Sequence, residues 1–144
     1  MDESFEQARI HRRGLRDAIG RVEGALTSPA TEREAAWAAN VREQAMVLSD
    51  ALDRHIGYSE GPHGLLTSII ADAPRLAHKV RKAKDQHDRL RSETSALLEV
   101  LADGEGVDKV RRRVLALMGG LVRHRHLGSD LVYEAYMVDI EASD

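Results

Sequence analysis

Seven histidines stand in this chain of 144 residues, and four of them fall on apolar helical stripes. His11 lies between Ala8 and Leu15. His55 follows Leu48 and Leu52 at spacings of seven and three, His87 follows Val80 and Ala83 at seven and four, and His124 follows Leu117 and Leu121 at seven and three. Such spacings put a side chain on the face that a helix turns toward its core. A single histidine there is ordinarily a satisfied core or boundary residue. Four of them, one from each helix of a bundle, supply what a buried metal ion needs: neutral imidazoles converging from facing helices. His78 and His126 fall on other faces of their helices, and His63 lies in a Gly-Pro turn.

The elements that must carry these histidines are legible from periodicity. The first helix runs from about Ser4 to Leu26, with Ala8, Leu15, Ala18 and Val22 on its stripe. Thr31 is the expected N-cap of the second, with Glu34 completing a capping box. That helix runs from about Glu32 to Tyr58 and ends before Gly61, Pro62 and Gly64. Leu65 to Ile70 reads as one or two helical turns on the surface. The third helix begins after Pro74, which suits a first turn, and ends at Asp103 and Gly104. The fourth runs from about Asp108 to Ile140 and contains Gly119-Gly120, each costing roughly 1 kcal/mol against Ala unless close packing requires it. Beta-branched alternation is missing, so strands are not expected. Four long amphipathic helices with short links predict an all-α, antiparallel up-down-up-down bundle formed by one domain over residues 1–144.

Composition removes several function classes. There is no cysteine, which excludes disulfides, zinc fingers and thiol catalysis. The net charge is −3, and the densest basic run, Arg111 to Arg113, reads as a solvated helix face, so no nucleic-acid partner is expected. No segment approaches the roughly 18 uninterrupted apolar residues of a membrane span. The opening MDESFEQARIHRR has no apolar signal core, so the expected location is cytoplasmic. No G-x-S-x-G elbow and no Gly-rich phosphate loop after a strand is present. The expected state is a monomer or a homodimer, with Trp37 near a helix start as a candidate dimer contact.

The motifs around the histidines carry a family resemblance. His11-x3-Leu15 resembles the opening of hemerythrin-like (HHE cation-binding) domains. So do His55 near the end of the second helix with an acid and a proline after it, Gln86-His87-Asp88-Arg89-Leu90 in the third, and His124 in the fourth. The run from Asp130 to Asp139 is similar to the tail of a hemerythrin-like subgroup. The resemblance covers nearly the whole chain. It implies iron, two ions rather than one, held in the bundle core by His11, His55, His87 and His124. It also implies a small ligand: dioxygen, another diatomic molecule or a peroxide.

The carboxylates depart from the family pattern. Hemerythrin-like domains usually place an acid four residues after the second-helix and fourth-helix histidines, where this chain has Ser59 and Gly128. Glu60 is the nearest replacement, and a π-bulge would carry it onto the His55 face; its alternative is a solvent-facing helix end. In the fourth helix the acids are Asp130 and Glu134, roughly 9 and 15 Å along the axis from His124. Glu134 lies near the core stripe, whereas Asp130 is placed for a surface pair with His126. With Glu3 and Gln7 brought to the same end by the first helix, the expectation is a histidine layer beside a carboxylate layer, with iron at the boundary. Fewer protein ligands leave open positions, which suit oxidase or oxygenase chemistry on a small-molecule substrate better than reversible transport. The competing readings are a non-catalytic sensor of dioxygen or nitric oxide and a metal-free helical interaction module.

Overall fold

The computed structural model describes residues 2–137, with side chains over 6–137. Among these residues every regular element is helical. Helix α1 spans Asp2–Thr27, α2 Glu34–Glu60, α3 Leu65–Asp72, α4 Ala77–Ala102 and α5 Val107–Val132. A 3-10 turn at Pro74–Leu76 leads into α4, and a π-helical turn at Tyr133–Met137 follows α5. The four long helices pack antiparallel: α1 on α2, α2 on α4, and α4 on α5.

The stripes read from the sequence are the buried faces. Val22, Val41, Leu48, Leu97, Val110 and Leu117 have no exposed surface. Each fully buried aliphatic side chain contributes on the order of 1.5–3 kcal/mol through apolar surface removed from water. Gly119 and Gly120 lie within the continuous α5. A Cβ at 120 would meet Leu90 Cδ2 at 3.1 Å, so the small residue serves close approach to α4.

The core is divided. A larger apolar cluster ends at Ile56 on α2, begins at Leu90 on α4 and ends at Leu121 on α5. A smaller one joins Leu66, Ile69, Ala73 and Leu76 to Val80, Ala83, Leu131, Ala135 and Tyr136. His87 and His124 fall in the gap between the two clusters on both α4 and α5. The bundle therefore carries a polar layer across its interior, and the smaller cluster closes it from one end.

Three local expectations change. Helix α2 starts at Glu34 with Arg33 in the N-cap position and no side-chain cap. Glu32 adopts φ 63°, so the turn is made there and the Thr31 capping box does not form. Leu65–Asp72 is not a surface decoration: Leu66 and Ile69 are buried, at 5% and 0% exposure. Trp37 is 1% exposed and donates its indole N–H to the Leu26 carbonyl, so it packs inside the bundle instead of presenting a dimer contact. The end of the fourth helix expected at Ile140 lies outside the described residues.

Candidate metal centre

Three helices each deliver one histidine to a common point. His55 comes from α2, His87 from α4 and His124 from α5, and one ring nitrogen of each lies within 4.8 Å of the others. His87 Nε2 is 3.0 Å from His124 Nε2, and His55 Nε2 is 3.4 Å from the same atom. Metal–imidazole bonds of about 2.0–2.1 Å place neighbouring nitrogens roughly 2.9 Å apart around an octahedral ion and roughly 3.4 Å apart around a tetrahedral one. The two separations seen here span that range, and the three-histidine group could hold a metal ion. His87 is fully buried, His124 is 8% exposed and His55 is half-buried, so the group opens outward on the His55 side.

Two side chains stand behind the rings. Glu60 Oε2 is 2.9 Å from His87 Nδ1, and Gln86 Oε1 is 2.8 Å from His124 Nδ1. Metal-bound histidines ordinarily carry such a partner on the nitrogen that does not bind the ion. Local structure holds Glu60 in place. The Thr67 hydroxyl donates to the carbonyls of Glu60 and Gly61, at 3.3 and 2.7 Å, tying off the last turn of α2. Gly64 packs its backbone against the Tyr58 and Ser59 carbonyl oxygens, where a Cβ has no room.

The environment favours neutral imidazoles, the form that binds metal. Burial pushes His55 down to about 3, with repulsion from His124, His87, His11 and Arg12 adding to it. Burial also takes His124 down to about 4, helped by His87. His87 is lowered by burial as well, against an opposing pull from the Glu60 carboxylate.

The remaining sequence-derived candidates sit elsewhere. His11 is outside the converging group and stacks on Tyr58, with ring centroids 4.7 Å apart. Tyr58 is one turn beyond His55, so His11 flanks the site at its open side. Helix α2 is regular through Glu60, with no π-bulge; the carboxylate reaches α4 from the helix end and meets the outer nitrogen of His87. The π-helical turn is instead at Tyr133–Met137, where Glu134 accepts from Lys79 Nζ at 2.6 and 2.7 Å. Asp130 and Gln7 are exposed, and the Glu3 side chain lies outside the described residues. The layer of carboxylates expected beside the histidines is thus reduced, among the described residues, to Glu60. Sequence reasoning missed Gln86. Its adjacency to His87 was visible, but it serves His124, across the α4–α5 interface.

Compared with family profiles, curated proteins and solved structures, the chain matches none. The resemblance to hemerythrin-like domains therefore rests on the motifs, and the structure adds a buried three-histidine cluster in a four-helix protein. No helix among the described residues is long and apolar enough to cross a membrane.

Proposed function

We propose that this chain is a hemerythrin-like, non-heme iron protein that holds one ion at His55, His87 and His124 and uses it to bind or activate dioxygen or a related small molecule. The observation that carries the reading is the convergence of three buried ring nitrogens from three helices within 4.8 Å. Three neutral imidazoles also suit zinc, copper and nickel; the resemblance is what selects iron. The geometry favours one ion over the pair the family implies. A pair ordinarily needs bridging carboxylates, and Glu60 is turned to the back of His87 while Glu134 is neutralised by Lys79.

The bound ion would supply open coordination positions for a small oxidant. The chain's own residues do the rest. Helices α4 and α5 keep His87 and His124 rigid between two apolar clusters. His11, Tyr58 and half-buried His55 form the side by which a small molecule enters.

Elemental analysis of protein from iron-supplemented cells, with a visible spectrum, tests this directly. One iron per chain is expected. Two would restore a di-iron centre, and protein that refuses metal on reconstitution would overturn the reading in favour of a metal-free interaction module. Oxidation of small reductants with dioxygen then separates an enzyme from a sensor.

A further inference from the structure

Glu60 and Gln86 stand behind two of the three rings, and they differ in one chemical respect. A carboxylate only accepts hydrogen bonds, whereas a primary amide accepts through oxygen and donates through nitrogen. Glu60, 2.9 Å from His87 Nδ1, holds the proton on that nitrogen and leaves the Nε2 lone pair facing His124. His124 has no such fixed instruction. With Gln86 Oε1 turned toward it at 2.8 Å, its proton sits on Nδ1 and its Nε2 is also a lone pair. Two lone pairs then face each other across 3.0 Å, which is repulsive unless a cation neutralises them. With the amide turned over, Gln86 donates to Nδ1, the proton sits on Nε2, and His124 donates to His87 across the same gap. This second arrangement satisfies both rings without a metal. In the first, His124 Nε2 can accept only from His55 Nε2–H, at 3.4 Å, and the His87 Nε2 lone pair has no donor, so both rings are satisfied only when a cation takes that lone pair.

We infer that Gln86 is a positioning residue that lets His124 exchange tautomers, with the proton on Nε2 in the metal-free chain and on Nδ1 once an ion is held. Only the loaded half of this rests on the metal reading above. The exchange moves one proton between two nitrogens of one ring and rotates one amide, so the ring is neutral before and after and nothing is oxidised. Gln86 thereby keeps His87 and His124 hydrogen-bonded without an ion while leaving His124 able to turn its Nε2 lone pair to a metal. A carboxylate at 86 would accept in both states and fix the loaded tautomer permanently. An apolar residue would support neither.

Long-range proton–nitrogen spectra of protein labelled with nitrogen-15 in its histidines read this out. In the metal-free wild type, His87 should carry its proton on Nδ1 and His124 on Nε2, with a coupling across the His124–His87 hydrogen bond. Zinc(II) should move the His124 proton to Nδ1. Gln86→Glu should show Nδ1–H before any metal is added, and Gln86→Leu should bind zinc(II) about 10- to 100-fold more weakly. A metal-free wild type with the His124 proton already on Nδ1 would overturn the inference. So would Gln86→Glu with the wild-type tautomer. Absence of zinc binding would count against the metal reading alone, because the metal-free spectra still decide the tautomer.

Discussion

The Glu60 carboxylate ends α2 at 2.9 Å from His87 Nδ1, while Nε2 of the same ring lies 3.0 Å from His124. In the proposed site the acid would act through the histidine, orienting the ring and raising its basicity, without taking a place on the ion. Glu60→Leu should keep one metal per chain at saturating metal but weaken binding by about 10- to 100-fold. Glu60→Gln, which still accepts a hydrogen bond, should lose less. Competition with a chelator measures both. Complete loss of metal in Glu60→Gln would make Glu60 a direct ligand.

The ligand set can be separated residue by residue. His55→Ala, His87→Ala and His124→Ala should each abolish stoichiometric metal, and His78→Ala and His126→Ala should not. His11→Ala is the informative case: metal should be retained, because the ring stacks on Tyr58 outside the converging group. Glu134→Ala should also retain metal and cost no more than about 1 kcal/mol of stability, the usual range for a partly exposed ion pair such as Lys79–Glu134. Metal analysis with urea unfolding checks all seven. Loss of metal from the Glu134 variant would place that carboxylate back in the site.

Glycines divide by what a side chain would meet. Gly20 and Gly24 lie in α1 with nothing within 4 Å of an added Cβ. Alanine at either should stabilise the protein by roughly 0.5–1 kcal/mol. Gly64→Ala would drive a Cβ into the Tyr58 and Ser59 carbonyls. It should destabilise strongly and, by displacing the end of α2 that carries Glu60, also weaken metal binding. Thermal melts with and without zinc(II) distinguish the two effects.

Metal-free protein should lose stability as pH falls from about 6.5 toward 4. His55 and His124 have folded-state values of about 3 and about 4, below the ordinary 6.5, so the unfolded chain takes up protons first as pH drops. More protons bound by the unfolded state means stability rises with pH. For His124 the span amounts to roughly 3 kcal/mol. Urea unfolding at pH 7 and 4.5, for wild type and a His55→Asn/His124→Asn double variant, reports it. Equal pH dependence in both proteins would remove the buried histidines as the cause.

The helices and their inward faces were legible because burial repeats at every third or fourth residue over long runs, as in Val41, Leu48, Leu52 and Ile56. The same periodicity placed His55, His87 and His124 inside. It could not rank His11, since a stripe position near a helix start is buried only if a neighbour covers it. The role of Glu60 was hidden because a side chain at a helix end reaches in directions that helical periodicity does not specify. Gln86 was hidden for a related reason: its partner is on another helix. Glu134 was closer to readable. Its axial distance from His124, roughly 15 Å, already set it apart from any ion that His124 holds, and Lys79, two turns before His87 on α4, answers its charge. Leu65–Asp72 was underestimated because eight residues are too few for periodicity to distinguish a covering helix from a surface turn.

The histidine layer interrupts the apolar interior at one cross-section of the bundle. At that level the helices are held by imidazoles and hydrogen bonds and gain little from oily contact. It is therefore the level at which burial holds the helices together least, although α4 and α5 run unbroken through it. An ion gripped at once by α2, α4 and α5 would act there as a rivet, so that filling the site and fastening the two ends of the molecule become one event.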